Sequence, residues 1–204
     1  VPFADKELWF RWASLGAFSP IMRTHHGAWD TENWDYDSDE ETWEYWTTLT
    51  REHMRLFPYR YGLAHKAATD GTPMLLPVSF VTDSQDWSRT DAWMLGEALL
   101  VAPVLERDAR ARYVDLPSGE QWVSWWTHAP TTSGDFSAGL DEIPVFARGG
   151  TTVPTFDLIP ETLLSVEDPT VVDLDQADLS RTVYIFGTGS YFEEADGTQY
   201  RPQG

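Results

Sequence analysis

The stretch ELWFRWASLGAFSPIMRTHHG, residues 7–27, sets the reading of the chain. Leu8, Trp9, Trp12 and Leu15 recur at helical spacing, and Gly16 is placed to stop a short amphipathic helix over residues 7–15. AFSPIM follows at once as an apolar run with one β-branched residue, Ile21, and reads as a buried strand. It ends abruptly on Arg23, Thr24, His25, His26 and Gly27. A second helical pattern comes after it, so the order helix, strand, helix suggests the last part of an α/β barrel or of a doubly wound sheet. In such a barrel the functional side chains project from the C-terminal ends of the strands. Arg23 and His25 stand at such an end. If the strand persists they share one face and His26 points away. The competing reading of His25 is a structural histidine hydrogen-bonded within the barrel wall. Three elements cannot close a barrel, so this piece is expected to dock on structure outside the chain or to be marginally stable.

Working outward, AWDTENWDYDSDEE (residues 28–41) is an acidic loop, and Ser38 with Glu41 reads as a capping box opening a helix near Asp39. Trp43, Trp46, Leu49, Met54, Phe57, Tyr61 and Ala64 continue that helix, which Pro58 should kink or divide. Asp70-Gly71-Thr72-Pro73 is a firm stop. Beyond it the period changes. MLLPVSF, ALLVAPVL, RYVDLP, QWVSWW, IPVFARGG, TTVPTF, RTVYIF and GSYFEEADG are short runs separated by Gly, Pro, Asp and Ser, the signature of an antiparallel β-sandwich. A domain boundary near residue 73 follows, and residues 155–180 read as a strand and a surface loop.

Composition limits what the chain can do. With 204 residues, 42% of them hydrophobic, it can bury a core. No run approaches the ~20 apolar residues of a membrane span, and VPFADKELWF lacks a basic region before an apolar one. A start without Met suggests a fragment. Fourteen Lys and Arg against 33 Asp and Glu, a net charge of −19, oppose binding to nucleic acid or anionic membranes. The absence of Cys excludes disulfides, thiolate metal sites and a Cys nucleophile but leaves the compartment unknown. Eleven Trp in so acidic a chain fit a carbohydrate-acting protein, with core packing as the alternative for any single one.

The chemistry-bearing constellations are few. Adjacent His25 and His26 diverge on an extended chain and make a poor metal pair. Asp35–Asp39 imitates the start of a calcium loop, but Glu40 and Trp46 stand where Gly and a bidentate Glu are needed. His53 and His65 are expected to face solvent or the helix packing seam. No carboxylate pair is singled out by spacing, and no Gly-x-Ser-x-Gly elbow exists. No metal or cofactor is therefore expected.

The order of motifs, ELWFRWASLGAFSPIMRTHHG, then REHMRLFPYRYGLAHKAATDGTPMLLPVSF, then DAWMLGEALLVAPVLERDARARYVDLPSGEQWVSWW, then LDEIPVFARGGTTVP, resembles glycoside hydrolase family 31 along its C-terminal half. Residues 182–204 also look like the end of the family's proximal sandwich, with Ala195-Asp196-Gly197 where Asp-Asp-Gly is usual. The resemblance implies an α+β fragment: the last helix-strand-helix of a (β/α)8 TIM barrel in residues 1–72, and a proximal β-sandwich in residues 73–204. It implies that Arg23 and His25 border the sugar pocket, His25 hydrogen-bonding hydroxyls of the −1 sugar. His26 has no such role. The Met-Arg-Thr-His-x-Gly wording looks closest to the sulfoquinovosidase-like branch.

The family's nucleophilic and acid/base Asp residues lie on earlier barrel strands, so this chain lacks the catalytic pair. The expectation is the C-terminal portion of a retaining α-glycosidase, inactive alone. Its partners would be an α-linked oligosaccharide or glycoside substrate and the missing N-terminal barrel portion. The alternatives are a non-catalytic carbohydrate-binding module using Trp122, Trp125 and Trp126, with Trp122 and Trp126 on one strand face and Trp125 on the other, and a scaffold completing another chain's barrel.

Overall fold

The computed structural model describes residues 5–24, 33–188 and 190–201. Three helices come first: α1 (Lys6–Ala17), α2 (Glu40–Arg55) and α3 (Phe57–Asp70). Asp5 caps α1, its side chain accepting from the Leu8 N–H. Helix α1 runs through Gly16, and the chain breaks out at Phe18 instead. The cap of α2 is Asp39 rather than Ser38: Asp39 Oδ1 accepts from the Thr42 N–H at 2.8 Å, while Ser38 Oγ accepts from the Asp35 N–H within the preceding loop. Pro58 does divide the long pattern. It occupies the first turn of α3, where its missing N–H costs nothing, and Leu56 is the joint. Gly71, at φ 80°, closes α3.

The remainder is built from antiparallel strands. β1 (Leu75–Leu76), the short helix α4 (Val78–Val81), β2 (Trp93–Leu95), β3 (Leu99–Val101), β4 (Ala111–Val114), β5 (Trp122–Ser124), β6 (Pro130–Thr131), β7 (Gly134–Ser137), β8 (Val145–Arg148), β9 (Thr151–Phe156), α5 (Leu174–Ala177), β10 (Arg181–Phe186), β11 (Phe192–Glu193) and β12 (Gln199–Tyr200) follow in order. Six of the strands form one sheet in the order β1-β2-β3-β8-β5-β6, and β4 pairs β7, β9 pairs β10 and β11 pairs β12. Residues 157–180 contain α5 and otherwise irregular backbone.

Strand β3 shows how the layers are stacked. All three of its residues are buried, so both faces of the sheet are covered. Leu99 and Val101 point into a cluster with Phe10, Tyr45, Leu49, Leu56 and Tyr59 of the helices. Leu100 points the other way, into a cluster with Val114, Leu116, Trp122 and Phe146. The helices therefore bury a face on the sheet of their own chain. Aromatic pairs fix the seams: Phe10 stacks on Tyr45 at 4.5 Å, and Phe57 on Phe156 at 5.8 Å. The outer face of the helices stays open, with Trp12 64% and Trp43 52% exposed, and Ile21, beyond the end of α1, is 77% exposed.

The apolar run expected to be a strand, residues 17–22, pairs with nothing among the described residues: it leaves α1 through a turn, and Ile21–Thr24 have no regular structure. A parallel barrel strand needs a neighbour on each side to accept its backbone groups. No strand among the described residues stands beside it.

The tightest joint between helices and sheet is at Tyr59. Its hydroxyl donates to Leu95 O at 2.9 Å and accepts from the Ala98 N–H at 3.3 Å, bracketing Gly96. Gly96 sits at φ 58°, and a Cβ there would lie 2.3 Å from the Tyr59 oxygen. Tyr59→Phe leaves both backbone groups unpaired in a buried place and should cost about 1–3 kcal/mol, read as a lower urea midpoint at unchanged slope. Gly96→Ala should cost more than Tyr59→Phe in the same titration, because strain and clash coincide.

Candidate functional site

The segment after α1 is shaped by what Gly16 omits. A Cβ on Gly16 would lie 3.2 Å from Met22 Cγ, so Met22 folds back over the helix end while the chain turns at Ser19 and Pro20. Ser19 Oγ donates to Leu15 O at 2.8 Å and secures the turn. From there exposure alternates: Ile21 and Arg23 are exposed, Met22 and Thr24 half-buried. The period-two expectation thus holds locally without a sheet. His25 and His26 lie outside the described residues.

Arg23 stands at a hollow of about 390 Å³ whose lining includes Trp9, Trp12, Met22, Trp34, Asp35 and Trp46. The far wall is the loop that returns to α2. Trp34 Nε1–H donates to Thr42 Oγ1 at 3.1 Å, and the Lys6 ammonium lies 5.4 Å from the Trp34 ring. Tyr36 packs on Trp43 at 6.1 Å and on Trp46 at 6.3 Å. Lys6 also bonds Asp39 Oδ2 at 2.7 Å and pairs with Glu41. Hydrogen bonds from Lys6 and Thr42 hold the Asp39 carboxyl down at about 2. The residues that imitated a calcium loop are thus spent on turn and cap geometry. Among the described residues no three His, Asp or Glu are grouped to hold a metal.

The back of the segment is held by two helices. His53 Nδ1 lies 3.1 Å from Ala17 O. Arg60, 6% exposed, donates through Nη1 to Pro20 O at 3.2 Å and to His53 Nε2 at 2.5 Å, and through Nη2 to the His53 carbonyl. Arginine can only donate. His53 Nε2 must therefore be the acceptor, and Nδ1 carries the hydrogen given to Ala17 O. Burial first, and the facing guanidinium second, push His53 down to about 4. Burial alone lowers Arg60 to about 10. His53 belongs to the packing seam, as the sequence suggested; His65 is exposed.

This arrangement offers flat apolar rings beside a guanidinium and a carboxylate, which suits recognition of a polar ligand with C–H faces. Among its described residues no two carboxylates are placed as acid and nucleophile. The tryptophan platform is not assembled. Strand β5 ends at Ser124, so alternation does not carry through the cluster. Trp122 is 4% and Trp125 1% exposed, in opposite clusters across the sheet. Trp126, 46% exposed, lies past the end of β5, meets Phe18 edge-on at 5.7 Å, and its Nε1–H donates to Ile143 O at 2.7 Å. Sequence reasoning missed the aromatic hollow and the His53–Arg60 pair. A signal existed for the second: Arg60 interrupts the aromatic stretch FPYRY, seven residues after His53 across a proline break.

Comparison with known proteins places these observations. Two family models match, Glycosyl hydrolases family 31 TIM-barrel domain over residues 2–63 and Glycosyl hydrolase family 31 C-terminal domain over residues 71–153. A sulfoquinovosidase of Escherichia coli is 33% identical over 148 residues, covering 71% of this chain and 22% of that protein. An alpha-xylosidase of Saccharolobus solfataricus is 29% identical over 205 residues, covering 97% of this chain and 26% of that one. The chain thus spans about a quarter or less of these curated relatives. Among solved structures, a family 31 sulfoquinovosidase from E. rectale superposes with TM-score 0.64 at 34% identity, over 71% of this chain and 22% of that one. A Flavobacterium johnsoniae family 31 dextranase complexed with glucose gives 0.72 at 25%, over 89% and 22%.

The His53 environment has a pH signature. A base lowered from 6.5 to about 4 in the fold leaves stability untouched above pH 6.5. Between pH 6.5 and about 4 the unfolded chain takes up a proton that the folded chain refuses, so stability falls. Below about 4 this loss levels off. In urea titrations across that window, His53→Phe should flatten the slope of stability against pH, whatever its absolute effect.

Proposed function

Because the chain belongs to glycosyl hydrolase family 31, we propose that it is the C-terminal portion of a retaining α-glycosidase, in which residues 1–72 end the catalytic (β/α)8 barrel and residues 73–204 form the following β-sandwich. The observation that carries the reading is the hollow at Arg23, which falls where family resemblance puts the sugar pocket. Arg23 and His25 would border the −1 sugar. Trp9, Trp34 and Trp46 would supply apolar surface next to it.

The chemistry would be shared with structure outside this chain. One Asp attacks the anomeric carbon, a second protonates the leaving oxygen, and water then releases the sugar with its configuration retained. His25 and Arg23 would hold hydroxyls or an anionic substituent through hydrogen bonds that strengthen as the ring flattens toward the oxocarbenium-like transition state. Such contacts orient the sugar and do not move the proton. The exposed outer faces of α1 and α2, with Trp12 and Trp43, and the exposed Ile21 beyond α1 would be covered by the rest of the barrel, the partner this reading requires.

The test is to assay the 204-residue chain and a longer protein containing it on p-nitrophenyl α-glycosides. The longer protein should hydrolyse at least one with retention, seen by proton NMR of the first-formed anomer, and the chain alone should hydrolyse none. Arg23→Ala and His25→Ala in the longer protein should each lower kcat/KM about 10- to 100-fold, the weight of one charge-assisted contact. Inversion, or wild-type kcat/KM in both variants, would overturn the assignment.

A further inference from the structure

Arg60 is buried, yet no carboxylate lies within salt-bridge distance among the described residues, and its Nε finds no hydrogen-bond partner. Burying a guanidinium without a counter-charge is costly, and a leucine would pack α3 against its neighbours with less penalty. What the guanidinium does instead is collect acceptors from two other segments: Pro20 O after α1, and both the ring and the carbonyl of His53 on α2. His53 in turn holds Ala17 O. Three chain segments meet at one planar fork.

Ser19 Oγ ties the same turn to Leu15 O from the α1 side. Ile21–Thr24 carry no strand pairing among the described residues. Pro20 has no N–H, so its carbonyl is the backbone group by which it can be held. Met22 against Gly16 is the neighbouring apolar contact. The two carbonyls bound by the pair, at residues 17 and 20, flank the turn that aims the chain toward Arg23.

We propose that Arg60 and His53 are positioning residues for Arg23: the guanidinium, locked by the single tautomer of His53, pins the Ala17 and Pro20 carbonyls and thereby sets where the Arg23 side chain enters the hollow. The proposal rests on the reading of Arg23 as a sugar-pocket residue for its functional consequence, but the anchoring itself is measurable without activity. It also explains why the pair consists of a donor-only group and a neutral imidazole. Each hydrogen bond in the chain Arg60, His53, Ala17 has one allowed direction, so the turn is held in one arrangement.

The experiment is backbone amide exchange of the 204-residue chain, following residues 18–24 against α2 and α3. Arg60→Met should speed exchange at Phe18 and Ser19, whose N–H groups bond Leu15 O and Gly16 O, by about 10-fold, one hydrogen bond's weight, while amides of α2 and α3 stay within about 3-fold. Unchanged exchange at Phe18 and Ser19 would overturn the proposal, and so would equal acceleration across both helices, which marks plain destabilisation. If Arg60→Met does not fold, His53→Phe, which keeps a ring and removes its donor and acceptor, is read by the same criteria. In an active longer protein, Arg60→Met should raise KM several-fold, and Arg60→Lys, which keeps a donor, should recover part of it; no change in KM would overturn the functional half. A longer wild-type protein without glycosidase activity would defeat the sugar-pocket reading instead, and the exchange result alone would then uphold or overturn the anchor.

Discussion

The position of the helices on the sheet is governed by one buried carboxylate. Glu52, 8% exposed, accepts both arms of Arg55 at 2.8 and 2.9 Å and the indole N–H of Trp125 at 2.8 Å. Arg55 reaches on to the Tyr184 hydroxyl at 2.9 Å and lies over the rings of Trp125 and Tyr184 at 5.3 and 5.6 Å. Glu52 thereby ties down Trp125, just past the end of β5, and through Arg55 the middle of β10. Removing it would strand an indole N–H in the core and leave Arg55 beside aromatic faces without its carboxylate. Because the carboxylate is fully engaged, the rotation of α2 about its axis is set, and with it the placement of His53 and the packing of α1 and α3 to either side.

What the sequence revealed follows the range of the forces involved. The cap and turn residues at Pro58, Asp70 and Gly71 act within a few positions of themselves, and the helix pair and its stop were legible from them. The short strands β3, β8, β9 and β10 were legible for the same reason, each bounded by its own turn residues. The family membership came from motif order, and the antiparallel sheets from the short runs that turn residues punctuate beyond residue 73. Asp39 rather than Ser38 is the cap, and Lys6, 33 positions earlier, bonds its second oxygen. No local pattern contains that fact.

Of the described residues lining the hollow, Arg23 alone was a candidate from sequence. Its aromatic surroundings come from α1, the return loop and α2, which meet through tertiary packing, and Trp34 read as part of an acidic loop until its N–H was seen on Thr42. Residues 17–22 carry a strand pattern without a strand, since pairing is a property of the neighbours as much as of the run itself. The tryptophans near residue 125 failed as a surface platform because period two ends with β5, and the next residues turn.

The two-sided burial of β3 bears on how such a chain can be cut and recombined. Sequence punctuation falls near residue 73, yet Leu99 and Val101 owe their cover to Phe10, Tyr45 and Tyr59 on the far side of it. A sheet transplanted without its helices would bare an aliphatic strip, and helices transplanted alone would lose the surface that orders them. The heritable unit is therefore the helical hairpin together with the sheet, and insertions that leave this pair intact are best tolerated in the irregular span of residues 157–172, which lies apart from the shared interior.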